Sequence, residues 1–254
     1  MINFHIIASG SKGNASIIYN ENTTILIDCG ITKKRLIEGL LEINKTISSI
    51  DFVLITHEHS DHIKGVKFVP FDKVYSGPNT LDDLPIERHL RYFETYNFKD
   101  IQVTVLKTNH DAGSPCGFLF KVDNEELVYL TDTGIIPLGT LELIKNKDYY
   151  FFEANHDLCY EITSSRTAKL KERVISIYGH LSNDFSAAYL NDLIGEKTKK
   201  IVLAHISEEC NSKEKIYDTF YKILNQNKWI ENVEFVVAEQ DFSVDLWLEL
   251  IFIV

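Results

Sequence analysis

An apolar run in this chain ends abruptly in histidines and carboxylates, in the segment VLITHEHSDH at residues 53–62. Imidazole and carboxylate groups are the ligands that suit zinc and its neighbours, so the segment predicts a metal site. Two ions are predicted, because a single ion could not comfortably use all four of the candidate ligands His57, His59, Asp61 and His62. In an extended chain the first two point to one side, and the following turn can carry the other two toward a second position. A solvated loop that is merely rich in histidine is the alternative.

The composition is that of a globular protein, and its charge limits how it could bind nucleic acid. Hydrophobic residues make up 44% of the 254 residues, which is enough for a sizeable core and excludes an intrinsically disordered chain. The net charge of −11 argues against coating nucleic acid by bulk electrostatics, although two divalent ions would supply local positive charge to a nuclease. Basic stretches at residues 33–35 and 166–173 could contact phosphates, and solvated helix faces explain them equally well.

The two ends of the chain carry no recognisable targeting or membrane signal. The N-terminus is similar to an opening strand rather than to a signal peptide, so a cytoplasmic location is expected. The apolar segment at residues 246–254 is far shorter than the roughly 20 residues that a membrane span needs. A last strand, or self-association through this apolar C-terminus, is expected instead. Because no linker or internal repeat interrupts the sequence, a single domain is predicted over residues 1–254.

Short apolar, β-branched segments alternate with segments of helical periodicity that begin at Ser, Thr or Asp. Strands are predicted at residues 2–8, 15–19, 23–29, 52–56, 102–107, 117–122, 126–132, 149–153, 200–206 and 234–238. Helices are predicted at residues 32–42, 61–68, 138–145, 164–175, 184–194 and 212–226. This alternation is typical of an α/β protein in which helices are layered over sheet.

Three further reactive residues each lie at the end of a predicted strand: His110, Asp132 and His205. Taken singly, each is equally compatible with a polar loop residue or a hydrogen-bonded core histidine. Taken together they are better explained as ligands, because a sheet delivers the residues at its strand ends to one edge.

These residues give the chain a resemblance to the metallo-β-lactamase superfamily, whose members share the motif H-x-H-x-D-H followed by a His, an Asp and a His. The resemblance implies a four-layered αββα sandwich with two metal ions at one edge of the sheets. It also implies a first metal on His57, His59 and His110, a second on Asp61, His62 and His205, and Asp132 as the bridge. In the oxygen-reducing di-iron branch the position of His59 is a Glu, so the His indicates a hydrolase.

The implied chemistry needs no amino-acid nucleophile. A water shared by two divalent cations, roughly 3.5–4 Å apart, loses a proton near neutral pH and attacks the substrate. Zinc suits five His and two Asp best, and manganese accepts the same set. Asp28 could orient a metal-bound imidazole through a hydrogen bond or could be a plain turn residue.

Two further segments bear on the substrate. The segment at residues 178–188 resembles a ribonuclease Z element, in which His180 would protonate the leaving oxygen or hold the phosphate, so Asp61 and His180 are the predicted catalytic residues. The helix start near Ser182 and Asn183 could bind an anion or simply be capped. The Gly/Ser turn after the first strand, with Ser9, Ser11 and Asn14, could bind phosphate or simply join a hairpin.

The motifs SGSxGN, THEHSDH, TDTG, ExNHD and GHLSN together resemble the YycJ/WalJ-like group of bacterial metallo-hydrolases. That resemblance implies a phosphodiesterase or nuclease with nucleic acid as its substrate, including exonucleolytic action on DNA. His156 could contact this substrate or cap the sheet edge. The chain shows no counterpart of the long arm that tRNA-processing relatives use. The alternatives are a small-molecule hydrolase acting on a thioester, lactone or β-lactam, and a non-catalytic binding protein.

Overall fold

The structure is a computed structural model that describes residues 2–238, 240 and 244–245. Two β-sheets contain all the strands of these residues. The first sheet has the strand order β13-β1-β2-β3-β4-β5 and consists of β1 (Asn3–Ala8), β2 (Ala15–Tyr19), β3 (Thr24–Ile27), β4 (Phe52–Ile55), β5 (Val74–Ser76) and β13 (Val244–Asp245). The second has the order β12-β11-β10-β9-β8-β7-β6 and consists of β6 (Thr95–Phe98), β7 (Ile101–Lys107), β8 (Cys116–Val122), β9 (Glu125–Leu130), β10 (Tyr149–Glu153), β11 (Lys200–Ala204) and β12 (Glu234–Val237).

Seven α-helices and several short 3-10 turns connect the described strands. The helices are α1 (Lys33–Glu42), α2 (Ser60–Ile63), α3 (Leu138–Leu143), α4 (Leu158–Thr163), α5 (Ala168–Ile175), α6 (Asn183–Leu193) and α7 (Lys213–Leu224). Side-chain caps begin several of them, because a hydroxyl or carboxylate at the N-cap accepts an otherwise unpaired backbone N–H. Thr32, Asp157, Thr167, Ser182 and Ser212 all act in this way.

The main core lies between the two sheets, which face one another. Strand β10 shows how its residues are divided, since successive side chains of a strand point to opposite faces. Tyr149 and Phe151 pack into the core between the sheets, whereas Tyr150 and Phe152 pack into the core beneath the helices. Both faces of this strand are buried, which is why it reads as a continuous apolar run rather than an alternating one.

Helices cover the outer face of each sheet. Leu36 and Leu40 of α1 pack with the outer face of the first sheet, and Ala187 and Leu190 of α6 pack with the outer face of the second. The predicted four-layered αββα sandwich is therefore confirmed. None of the helices within the described ranges combines the length and the apolar character that a membrane crossing requires.

The direction of the strands positions the site. In the first sheet β3 pairs in parallel with β4, and in the second sheet β9, β10 and β11 are parallel neighbours. Strand β7 runs in the same direction as β9, because each is antiparallel to β8 between them. The carboxyl ends of these strands therefore lie at one edge of each sheet.

Most predicted elements are present with boundaries shifted by one or two residues, and strand 149–153 is present with the predicted boundaries. The predicted helix at 164–175 is wrong in its first part. Ser164 ends the unpredicted helix α4, and α5 begins only after its cap Thr167. The predicted helix at 61–68 stops at Ile63, because the Gly65 N–H donates to the Cys29 carbonyl oxygen and the Asp61 carbonyl oxygen, its helical partner, accepts the N–H of Asn14 instead. The apolar C-terminus at 246–254 lies outside the described residues.

Candidate metal centre

The loop after β4 carries the first group of candidate ligands. His57 and His62 are buried, and His59 and Asp61 are partly exposed at the opening. Helix α2 begins at Ser60 and carries Asp61 and His62, and the ring centroid of His62 lies 4.0 Å from that of His57. The loop is held against the turn that follows β3, where a Cβ atom at Gly30 would lie 1.5 Å from the Asp61 carbonyl oxygen. Only glycine allows this close approach of two backbone segments.

The second sheet contributes one candidate ligand from each of three strands. His110 follows β7, Asp132 follows β9, and His205 follows β11, and all three side chains are buried. The backbone at Asp132 and His205 is left-handed, with φ of 56° and 55°. Residues other than glycine rarely adopt this backbone region, and those that do are concentrated at functional sites.

The two sheets bring the seven predicted ligands into one cluster. Candidate ligand atoms within 4.8 Å of one another form three triplets, namely His57–His59–His110, Asp61–His62–His205 and His57–His62–Asp132. The first two triplets correspond to the two predicted metal positions. Asp132 lies between them, with one carboxylate oxygen 3.5 Å from His62 Nε2 and the other 3.5 Å from His205 Nδ1.

The chemistry of these atoms fits divalent cations. His57 Nε2, Asp132 Oδ2 and His205 Nε2 are buried acceptor atoms for which the described residues supply no hydrogen-bond partner. Buried polar atoms are normally paired, so unpaired atoms within one cluster indicate a ligand. His59 Nδ1 and His110 Nε2 are 3.3 Å apart, which is about the edge of a tetrahedron with Zn–N bonds of roughly 2.0–2.1 Å.

Hydrogen bonds fix the orientation of the imidazoles in this cluster. In His62 the Nδ1 atom lies 2.8 Å from Asp28 Oδ2, and in His110 the Nδ1 atom lies 3.0 Å from the Gly179 carbonyl oxygen. Because each partner is an acceptor, Nδ1 carries the proton and Nε2 is left as the ligand atom. Asp28 also accepts hydrogen bonds from the backbone N–H and hydroxyl of Thr56. Of its two predicted roles, Asp28 therefore has the orienting one.

Glu153 performs the same task in the second sheet, and the sequence analysis did not identify it. Its Oε1 atom lies 2.8 Å from His180 Nδ1 and 2.9 Å from His205 Nδ1. Its Oε2 atom accepts the backbone N–H groups of Thr133 and Leu181. Asp132, Glu153, His180 and His205 also lie close enough to be considered a ligand group. The short N–O distances instead indicate a hydrogen-bonded network among the last three.

Burial and the carboxylates act in opposite directions on the imidazoles. Burial lowers the pKa of His57 well below its ordinary value. Burial also disfavours charge on His62, but Asp28 and Asp132 raise the pKa of His62 to about 9. The site therefore favours positive charge at His62 and disfavours it at His57, which suits an uncharged imidazole that can bind a cation.

The two buried carboxylates of the second sheet keep their negative charge. Burial would raise the pKa of Glu153, but His180 and His205 lower that pKa to about 2. His205 is the main group that holds the pKa of Asp132 well below its usual range against the effect of burial. Two ionised carboxylates in a buried site need nearby positive charge, which again suits bound cations.

The turn after β1 contacts two of the candidate ligand histidines. Ser9 Oγ accepts the backbone N–H of His205, and the Asn14 side chain lies 3.0 Å from His62 Nε2. Backbone N–H groups of the turn are engaged within the protein, including those of Gly10, Lys12 and Asn14. Ser11 is exposed. The assignment of Ser9, Ser11 and Asn14 to substrate binding stays a prediction.

The remaining predicted substrate residues are Ser182, Asn183 and His156. Ser182 caps helix α6, and the Asn183 side chain pairs with that of Asn211. His156 is buried, and its Nδ1 atom has no hydrogen-bond partner among the described residues. Its carbonyl oxygen accepts the N–H of Asn183, which connects the two segments.

The basic stretch at 166–173 is largely engaged in intramolecular contacts. Arg166 pairs with Glu161 and Glu209, and Arg173 forms two hydrogen bonds with Asp111. Lys171 donates to the carbonyl oxygens of Ile162 and Ser164 at the end of α4. These contacts account for most of the stretch without a phosphate partner.

Comparison with known proteins agrees with this geometry. The chain is 35% identical to the exodeoxyribonuclease WalJ of Streptococcus pneumoniae over 250 residues, which cover 93% of each chain. It is 29% identical to the exodeoxyribonuclease YycJ of Bacillus anthracis over 94% of this chain and 96% of that protein. Among solved structures, the metallo-β-lactamase fold protein YhfI of Bacillus subtilis has a TM-score of 0.71 at 14% identity and covers 96% of this chain and 99% of its own. The model of the beta-lactamase superfamily domain matches residues 23–206, and the chain belongs to that superfamily.

Proposed function

We propose that this protein is a metal-dependent nuclease that hydrolyses phosphodiester bonds of DNA from a strand end. The observation that carries the proposal is the position of His180. The His180 Nδ1 atom lies 2.8 Å from Glu153 Oε1 and 3.6 Å from Asp132 Oδ1 at the centre of the cluster. A proton donor beside a metal cluster is the equipment that cleavage of a poor leaving group needs. The names of the two relatives, both exodeoxyribonucleases, support the choice of DNA.

The proposed ligands follow the two outer triplets of the cluster. His57, His59 and His110 would hold one cation, and Asp61, His62 and His205 would hold the other, with Asp132 shared between them. Zinc is the proposed resting metal because imidazole is the main ligand, and manganese would accept the same set. Cations in these positions would supply Lewis-acid stabilisation of developing negative charge and would acidify water.

The chain's own residues then perform three tasks. Asp28 and Glu153 keep Nδ1 of their histidine partners protonated, so that Nε2 of the ligand histidines faces inward. His180 has its Nδ1 atom occupied by Glu153, which leaves Nε2 to hydrogen-bond the phosphate or to give a proton to the leaving oxygen. Asp61 is only partly buried and stands at the opening, where substrate and cation would meet.

Among the predicted substrate residues, Ser11 in the exposed turn after β1 would border the nucleotide directly. Ser182, Asn183 and His156 are buried and would act by supporting the segment that carries His180. Nucleic acid is the proposed partner, and the cytoplasm is the proposed location. A single domain over residues 1–254 is also proposed.

The test compares wild type with Asp61→Ala and His180→Ala on two substrates, end-labelled DNA and bis-p-nitrophenyl phosphate, with zinc or manganese restored. Asp61→Ala should abolish cleavage of both. His180→Ala should lower DNA cleavage by about 10²–10⁴-fold, the usual contribution of a general acid. It should affect bis-p-nitrophenyl phosphate much less, because nitrophenolate leaves without a proton.

His89→Ala is the matched control, since His89 is bound to the Leu84 carbonyl oxygen outside the cluster. It should retain wild-type activity on both substrates. Turnover of a thioester or lactone, with no phosphodiester cleavage under either metal, would contradict the proposal. Labelled RNA and double-stranded DNA, tested in parallel, would define the substrate further.

A further inference from the structure

Large apolar side chains are exposed on the segments at residues 135–138 and 177–185, which follow Asp132 and surround His180 in the sequence. We name this set the apolar rim: Ile135, Leu138, Ile177, Tyr178 and Phe185. Tyr178 is 52% exposed and Phe185 is 62% exposed. Exposed apolar groups grouped beside a site usually mark a binding surface rather than chance exposure.

Backbone contacts connect the rim to the ligand-bearing loops. The Asn109 side chain donates to the Ile177 carbonyl oxygen at 2.7 Å, and the Asn109 carbonyl accepts the N–H of Gly134 at 3.0 Å. A Cβ atom at Gly134 would lie 2.3 Å from the Ser176 carbonyl oxygen, so the loops that carry Asp132 and Tyr178 are in direct contact. The rim is therefore built on the same loops as the centre.

The two aromatic residues of the rim flank the proposed catalytic histidine. Tyr178 lies two residues before His180, and its carbonyl oxygen accepts the N–H of Asp111, which follows His110. Phe185 lies in the first turn of α6, where its N–H donates to the capping hydroxyl of Ser182. The segment from His180 to Ser182 is thus flanked in the sequence by two exposed aromatic residues.

The charges near the rim limit how the protein could hold DNA. A protein that grips single strands combines basic groups with aromatic side chains on which bases stack. Here the guanidinium groups of Arg166 and Arg173 are paired with carboxylates, and the net charge of the chain is −11. Base stacking would then have to provide the part of the binding free energy that phosphate contacts do not supply.

We propose that Tyr178 and Phe185 form a stacking platform for unpaired nucleobases next to the scissile phosphate. The inference rests on the proposed nuclease function and deepens it. Bases inside a duplex have both faces covered by their neighbours, so a platform that stacks successive bases favours single-stranded ends. Stacking tolerates any base, because every base presents an aromatic face.

The experiment uses two 12-nucleotide single strands, oligothymidylate and the same strand with abasic residues at the cleaved end. Both carry the same phosphates. Wild type should cleave the base-bearing strand with a kcat/KM about 5- to 150-fold higher, the range expected for stacking of one base. Tyr178→Ala and Phe185→Ala should each reduce this preference severalfold, and Tyr178→Phe, which keeps the ring, should retain it.

Tyr221→Ala is the control, because Tyr221 is an exposed aromatic residue on α7 and not part of the rim. Equal cleavage of both strands by wild type, or an unchanged preference in both alanine variants, would overturn the platform. A change of oligomeric state in sedimentation of the rim variants would overturn it in favour of a second copy of the chain on this surface. Wild type that cleaves duplex DNA but neither single strand would also overturn the platform, whereas wild type that cleaves no DNA at all would instead defeat the proposed function.

Discussion

The two sheets supply the metal centre in different ways. The first sheet delivers its four candidate ligands from one loop, residues 57–62, after a single strand. The second sheet delivers one residue from each strand end, and these residues are up to 95 positions apart between His110 and His205. The first half of the centre is therefore a local property of the sequence, whereas the second half exists only because strands β7, β9 and β11 end at one edge.

The buried carboxylates of the two halves also differ. Asp28 contacts the Thr56 hydroxyl and one ligand histidine, His62. Glu153 joins a ligand histidine, His205, to His180, which is not among the proposed ligands. The carboxylate of the first half thus orients one candidate ligand, whereas that of the second half orients one candidate ligand together with the proposed proton donor.

Loss of one ligand from each half should have the largest effect. His59→Ala removes a ligand of one proposed position, and His205→Ala removes a ligand of the other. Each variant should lose DNA cleavage to the background of the assay while keeping about one of its two metals, since a di-metal site needs both ions for in-line displacement. Elemental analysis of the purified variants checks this. Loss of both metals in either variant would show that the two proposed positions do not bind independently.

Replacing Asp28 and Glu153 by their neutral amides should have smaller effects, which differ between the two halves. Asp28→Asn should lower kcat about tenfold and Glu153→Gln about 100-fold, within the range known for residues that orient metal ligands. The larger effect at Glu153 is expected because it orients two imidazoles. In Glu153→Gln the loss should be greater on DNA than on bis-p-nitrophenyl phosphate. Equal losses on the two substrates would remove the link between Glu153 and proton transfer.

The smallest effect is expected at Thr56. Thr56→Val removes a hydroxyl that bonds Asp28 and lies 3.1 Å from His57 Nδ1. The free energy of unfolding, measured by denaturant titration, should fall by about 1–2 kcal/mol because a buried acceptor and a buried donor lose a partner. Thr163→Val on exposed α4 should stay within about 0.5 kcal/mol of wild type. A loss at Thr56 no larger than this would mean that solvent replaces the hydroxyl.

Much of the fold and the contiguous half of the site could be predicted from the sequence. The segment at 53–62 carries its ligands on adjacent residues, and buried runs such as Tyr149–Glu153 have the length of strands. Glu153 was missed although a signal was present. A carboxylate at the end of a fully buried strand must have charged or hydrogen-bonding partners. Its partners His180 and His205 are distant in sequence, so only the topology identifies them.

The turn after β1 shows a different limit of sequence reasoning. Its glycines and serines are typical of a loop that exposes N–H groups to an anion. In the structure Lys12 donates its N–H to the side chain of Gln240, which lies 228 residues away, and Gly13 accepts from the same side chain. The predicted start of a helix at residue 164 was wrong for a local reason. Ser164 and Thr167 are both residues that commonly cap helices, and the local sequence does not decide between them.

The left-handed backbone at Asp28, Asp132 and His205 has a consequence for how the protein could change under selection. Each such conformation costs on the order of 1–3 kcal/mol, and histidine tolerates it less readily than glycine. A lineage that no longer needed catalysis could relax this backbone only by replacing His205 together with Glu153 and Asp132, because loss of His205 alone would leave two buried carboxylates without their partner. Joint replacement of these three residues would therefore be the sign of a chain kept only for its shape.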